Sequence, residues 1–361
     1  MNRLAIVDHA KLRVIDVDRK SGTDIGALAD SRLANRQPAW SPDGALLAWS
    51  AFDRRQTDSP ASLAIATPDA TWRIDHPAVF PPFYLAWRRD CRAVAALADG
   101  PLGLELSVTD VASGSCEIVH RGAPLFFDWS ATGALAVHAG TGESARLEVH
   151  GADYDHEAFT ALALGSFSAP AFLPSGELLA VVVHEGHPVL ALIDRAATVQ
   201  RVITNAEFGS RFAVHPSGDW VATTSGRSAS GALVVHHLPS DTMSFVNERA
   251  PALFAWSAES IGLLFARVLD RGDSPVLEWC TWHDGEVRAH VRARITATFA
   301  REVLPFHEQY ARSHSWWSPT GDAFCYGAVD DYGNDTIWVV NIARPNPERI
   351  ATGSMAVWSP R

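Results

Sequence analysis

Short apolar runs, broken by polar and turn-forming residues, recur along the whole chain. Leu46-Leu47-Ala48-Trp49, Leu63-Ala64-Ile65, Leu178-Leu179-Ala180-Val181, Leu190-Ala191-Leu192-Ile193 and Ile337-Trp338-Val339-Val340 are typical. Runs this short, rich in branched and aromatic residues, read as strands, because an amphipathic helix needs a longer period to show itself. No ten-residue stretch carries a helical period strong enough to compete. Between the runs stands a recurring punctuation, an aromatic or apolar anchor followed by a turn. Its copies include Pro38-Ala39-Trp40-Ser41-Pro42-Asp43-Gly44, Leu173-Pro174-Ser175-Gly176, His215-Pro216-Ser217-Gly218 and Trp317-Ser318-Pro319-Thr320-Gly321. Proline presets the φ of a type I turn and glycine supplies the exit, so each copy predicts a hairpin between antiparallel strands.

The anchors are Trp40, Trp87, Trp129, Phe172, Val214, Trp256, Trp317 and Trp358. They are separated by 41 to 47 residues, apart from one interval of 61, and counting from Trp358 across both ends to Trp40 adds 43. A third strand follows each hairpin, and a weaker fourth runs outside it, as at Trp72-Arg73-Ile74. Four short antiparallel strands per period is the spacing of a propeller blade. The expectation is an all-β, eight-bladed β-propeller of four-stranded blades, one domain over residues 1–361. Seven blades are the alternative, because Trp256-Ser257-Ala258-Glu259-Ser260 lacks both proline and glycine; Leu263-Leu264-Phe265-Ala266 and Val276-Leu277-Glu278-Trp279 continue the pattern and favour eight. Ala356-Val357-Trp358 is predicted to pair with Leu4-Ala5-Ile6-Val7, so that the last strand completes a blade begun by the first three and leaves no open edge.

Trp40-Ser41-Pro42-Asp43-Gly44 followed by Leu46-Leu47-Ala48-Trp49 resembles the repeat of the TolB-like (WD40-like) propellers, as does Gly333-Asn334-Asp335-Thr336-Ile337-Trp338-Val339-Val340-Asn341. The resemblance covers essentially the whole chain and implies a stand-alone member of that family. Such propellers include protein-binding scaffolds, gating domains of prolyl oligopeptidase-like hydrolases and oligogalacturonate lyases, so the resemblance speaks for architecture and leaves function open. The peptidase branch is excluded here. The chain has no Gly-x-Ser-x-Gly nucleophile elbow, and no residues remain for a hydrolase domain.

Composition narrows the partners. A formal charge of −11 argues against nucleic acid, which calls for a basic surface. No apolar stretch is long enough for a transmembrane helix, and Asp8 and His9 interrupt the N-terminal run before a signal peptide could form, so a cytoplasmic location is expected. Arginine supplies all the basic residues but Lys11 and Lys20, which with abundant alanine points to a GC-rich bacterial genome. Cys91, Cys116, Cys280 and Cys325 have no paired spacing and read as buried free thiols.

Chemistry is expected where the repeat is broken. The 61-residue interval carries about 19 extra residues, in an inserted loop over 296–313 expected at the channel mouth. Its polar half supplies the catalytic candidates His307, Glu308, Tyr310 and His314, of which the histidines titrate near neutrality. Two readings stand side by side: a ligand or partner site, or a plug whose His and Tyr are satisfied by hydrogen bonds. His307, Gln309 and His314 resemble the His and Gln ligands of the lyases, and His184 and His187 could add to them. No compact ligand motif appears, so neither metal nor cofactor is expected. Ligand-binding candidates are Gln309, Arg312, Arg211, Arg54, His184 and His187, the arginines as forks for carboxylate or phosphate. Phe83, Tyr84, Phe126, Phe127 and Phe208 are candidates for an apolar funnel, with Tyr84 and Phe127 reading as blade packing. His138, His150 and His236 lie in predicted strands and read as structural.

The functional expectation is a non-enzymatic scaffold binding a protein or peptide through its loop-bearing top face. The run Gln309-Tyr310-Ala311-Arg312-Ser313-His314-Ser315-Trp316-Trp317 resembles stand-alone TolB-like propellers that accompany bacterial transport systems, which implies peripheral association with a membrane complex. The alternative is an enzyme, a lyase, hydrolase or cyclase, acting on a small molecule in the funnel through His307 and His314.

Overall fold

The strands form eight antiparallel sheets in chain order. They are taken from a computed structural model that describes residues 2–25, 33–53, 61–151, 153–225, 231–270, 275–344 and 346–361. Blade 1 comprises Arg3–Asp8, Lys11–Asp16 and Ser21–Asp24 with Met355–Trp358; blade 2 comprises Leu33–Trp40, Leu47–Asp53, Ala61–Ala66 and Arg73–Ala78. Blade 3 is Tyr84–Trp87, Ala93–Gly100, Gly103–Asp110 and Cys116–Arg121; blade 4 is Leu125–Trp129, Leu135–Ala139 and Arg146–His150. Blade 5 is Ala171–Phe172, Leu178–His184, His187–Ile193 and Val199–Asn205; blade 6 is Arg211–Val214, Trp220–Thr224, Leu233–His237 and Thr242–Asn247. Blade 7 is Leu253–Trp256, Gly262–Asp270, Val276–His283 and Glu286–Arg294; blade 8 is Ala323–Val329, Asp335–Asn341 and Glu348–Thr352. In blade 8 the inner position is taken by Trp317, bridged to Phe324. The chain is an eight-bladed β-propeller. Seven blades are excluded, because the weak copy at Trp256 has its own sheet and closes its turn without proline or glycine through Ser257 N–H to the Gly262 carbonyl, at 2.8 Å.

Burial explains why these runs are strands. Inner strands such as Tyr84–Trp87, Leu253–Trp256 and Met355–Trp358 are buried at every position, so both faces demand apolar side chains. Outer strands such as Val199–Asn205 are partly or fully exposed throughout and carry the weakest pattern. Ala39, Ala48, Leu63 and Ile65 of blade 2 pack with Leu85, Trp87, Val94 and Ala96 of blade 3 in one cluster.

The anchor tryptophans do more than fill space. The indole of Trp87 donates to the Ala39 carbonyl at 2.8 Å, that of Trp256 to Ala213 at 3.0 Å and that of Trp40 to Val357 at 3.2 Å. Each acceptor immediately precedes the anchor of the previous blade, so the repeat is stitched together by bonds each worth about 1 kcal/mol net. The turn beyond the anchor closes by Gly44 N–H to the Ser41 carbonyl at 2.8 Å, with Gly44 at φ +69°. A Cβ there would lie 2.8 Å from Ser359 Oγ, so both conformation and space require glycine.

Closure occurs as predicted. Leu4 pairs with Trp358, Ala5 with Val357, Ile6 with Ala356 and Val7 with Met355, which places Met355–Trp358 innermost in blade 1. All four cysteines are free, but only Cys280 and Cys325 are buried; Cys116 is exposed because it opens an outer strand. Among the described residues no helix is long and apolar enough to cross a membrane.

Two compact units can be distinguished. One comprises Met1–Arg121, Val268–Trp279 and Ala289–Arg361; the other comprises Gly122–Arg267 and Cys280–Arg288. Blades 1, 2, 3 and 8 and the segment 296–314 belong to the first, and blades 4, 5 and 6 to the second.

Candidate functional site

The inserted segment is helical. It opens at Thr296, whose side chain accepts from the Phe299 amide at 3.2 Å and donates to the Ser354 carbonyl at 2.6 Å. A π-turn over Phe299–Val303 and a 3₁₀ turn over Leu304–Phe306 lead into the insertion helix, His307–Ser313. Pro305 is tolerated because it stands in a first turn, where its missing N–H has no partner to lose. His307, Tyr310 and His314 recur at helical spacing and are all about 2% exposed. One helix face is therefore sunk into the first unit.

What it meets there is polar as well as aromatic. Tyr310 donates its hydroxyl to Gln37 Oε1 at 2.7 Å and lies 3.2 Å from the Phe83 carbonyl. Gln37 passes the chain on through its amide N–H to Glu302 Oε2 at 3.1 Å. Gln37 itself sits at φ +56°, where the register of Leu33–Trp40 shifts. A bulge with a left-handed non-glycine residue is a local cost, and here it re-aims a buried amide at the insertion. On the neighbouring side the Tyr84 hydroxyl accepts from Gln309 Nε2 at 3.2 Å, donates to the Gln309 carbonyl at 2.9 Å and lies 2.7 Å from Ser313 Oγ. Ser313 Oγ is in turn 2.6 Å from His314 Nδ1. The rings of Tyr84 and Tyr310 meet edge to face at 5.2 Å, and those of Tyr310 and His314 lie 4.8 Å apart.

Burial sets the protonation states. It pushes His314 down to about 3, against a weaker opposing hydrogen bond at the Pro38 backbone, so the ring is neutral. Burial also pushes the Tyr310 hydroxyl well above the usual tyrosine range, with Tyr84 and Glu302 adding to it. A neutral histidine and a protonated tyrosine, both shut away from water, can hold hydrogen bonds but exchange protons with solvent poorly.

Glu308 and Arg312 are half-buried on the insertion helix. Arg211, in the second unit, donates to the carbonyls of Ala252 and Pro251 at 3.0 and 2.6 Å and covers the Phe254 ring, a structural clasp between blades 6 and 7. His184 and His187 face each other across the two-residue turn Glu185-Gly186, also in the second unit. Arg54 lies outside the described residues. Tyr84 and Phe127 are buried, Phe126 stacks on Phe167 at 4.7 Å and Phe208 is 78% exposed. His138 is buried with Nδ1 2.9 Å from the Ser168 carbonyl, and His236 lies 3.0 Å from Thr223 Oγ1. Sequence reasoning missed Gln37 and Glu302. Gln37 left no signal, since a bulge in a strand is not written in the apolar pattern.

No protein-family model and no curated protein sequence matches the chain. Solved structures do. A eukaryotic initiation factor aligns over 100% of this chain and 98% of its own, with a TM-score of 0.59 and 11% identity. A prolyl endopeptidase aligns over 98% of this chain and 47% of its own, with a TM-score of 0.52 and 11% identity. TolB from Acinetobacter baumannii aligns over 69% of this chain and 64% of its own, with a TM-score of 0.41 and 16% identity. The likeness is one of fold. The chain spans less than two thirds of the TolB chain and about half of the peptidase chain.

Proposed function

We propose that this propeller is a non-enzymatic scaffold that binds a protein or peptide along the outer edge of its insertion. The observation that carries the reading is how the insertion divides its residues. The groups an acid–base enzyme would use, His307, Tyr310 and His314, are buried, while Phe306 is 48% exposed and Pro305 and Arg301 of the same insertion are exposed as well. An aromatic held at the surface by a buried helix is a rigid anchor, and aromatic and arginine side chains dominate binding energy at protein interfaces. The rigid support lowers the entropy lost on association.

The test uses the full chain with an affinity tag, cross-linked in the cells that produce it. Wild type is expected to recover a discrete protein partner that Phe306→Asp and Arg301→Glu each lose, with thermal melts unchanged. Equal recovery by both variants would remove the insertion edge from the interface. Point changes are preferable to deleting the segment, because its buried face is part of the core.

A further inference from the structure

Blade 4 breaks the repeat in a second way. Its third strand, Arg146–His150, has no fourth strand outside it among the described residues. The chain turns back at Gly151, where a Cβ would lie 2.6 Å from the Ala134 Cβ, and a short helix, His156–Thr160, packs against the strand instead. Leu147 and Val149 point into the core, so Glu148 and His150 share the opposite face by the two-residue period of a strand. The helix brings His156 to that same face.

The three side chains converge. Glu148 Oε2 lies 3.2 Å from His150 Nε2 and 3.6 Å from His156 Nε2, and one ligand atom from each residue falls within 4.8 Å of the others. A tetrahedral ion with bonds of about 2.0–2.1 Å holds its ligands roughly 3.3–3.4 Å apart, between the two Glu148–His separations. The arrangement is also held in place. Asp155 caps the helix by accepting from the Glu157 and Ala158 amides at 3.0 and 3.3 Å, and Phe159 is fully buried in the core shared by blades 4 and 5. Tyr154 donates to the Gly176 carbonyl at 2.7 Å. The backbone that carries His156 is thus held on both sides. Arg146, the nearest cation on the strand, turns to the Glu143 and Ala145 carbonyls.

We propose that Glu148, His150 and His156 form a binding site for a divalent transition metal of the Zn²⁺ type, with a position open to water or to a ligand from a partner. Two neutral imidazoles and one carboxylate neutralise half the charge of such an ion and suit zinc. Side-chain exposures of 17, 36 and 45% leave the site open on one side, as a three-ligand site requires. The proposal does not depend on the scaffold reading.

Chelator-stripped full chain would be titrated with Co²⁺ followed by visible absorption, and with Zn²⁺ in competition. Wild type is expected to bind one equivalent and to give the intense d–d bands of a four-coordinate ion. His156→Ala and Glu148→Gln should each weaken binding more than 10-fold, while His283→Ala, an exposed histidine beside Asp284, should leave it unchanged. Zn²⁺ should raise the melting temperature of wild type and not of Glu148→Gln, which keeps the side chain's shape should His156→Ala loosen the helix. Failure of wild type to bind an equivalent, or equal affinity in wild type and Glu148→Gln, would overturn the proposal and leave a hydrogen-bonded cluster.

Discussion

His314 and His138 show what burial does to a single titratable residue. Among the described residues neither has a carboxylate partner to stabilise its charged form, and burial holds them at about 3 and about 4, below the 6.5 of an unhindered imidazole. In the unfolded chain both would take up a proton near 6.5, so between that value and their folded values the unfolded state binds more protons. Their contribution is therefore intact above about pH 6.5 and lost as the pH falls toward 4 and below. The slope is about 1.4 kcal/mol per pH unit for each histidine. Urea denaturation midpoints measured between pH 7.5 and 4.5 should fall through this window, and His314→Gln should flatten the decline. An unchanged slope in the variant would mean that His314 is solvated in the fold. Histidines in the sequence look alike, and nothing in the residues around His314 distinguishes a buried neutral ring from a catalytic one. That difference lies in the elements packed over it.

At the scale of the element, the insertion was legible as a break in period but not as a helix. Its polar and apolar halves read as loop, yet His307, Tyr310 and His314 already stood at helical spacing. The spacing was obscured because the buried face is polar, and the usual signal is an apolar stripe. Polar groups on such a face need partners, and Tyr310 finds them in Gln37 and the Phe83 carbonyl. Tyr310→Phe would strand those acceptors in the core and should cost about 1–3 kcal/mol of unfolding free energy, read from urea midpoints. A cost near zero would show the network to be incidental to the packing. Blade 4 escaped for a different reason. Glu148 and His150 read as ordinary strand residues, and only the replacement of an outer strand by a helix brings His156 beside them. A substitution of one element type for another leaves the repeat length intact, so the period gave no warning.

For the whole molecule, the repeat specified the fold well because each copy is a local hairpin repeated eight times. What the period does not reveal is how consecutive copies are joined, which the anchor indoles do by reaching the preceding inner strand. The last join differs from the rest, since Met355–Trp358 is an inner strand supplied from the far end of the sequence. Met355, Val357 and Trp358 are each at most 2% exposed, and Val357 also accepts the Trp40 indole. Removing residues 354–361 would open the edge of Arg3–Asp8, expose the cores on both sides of it and leave that indole unpaired. Loss of a buried tryptophan alone costs about 3–5 kcal/mol. The stability of a folded domain is only about 5–15 kcal/mol. The truncated chain should therefore melt far lower than the full chain or fail to fold, and Trp358→Ala should give a smaller drop in the same direction. A melt unchanged by the truncation would mean that the first blade holds without its fourth strand, and the pairing of the two ends would then be a consequence of the fold and not one of its supports.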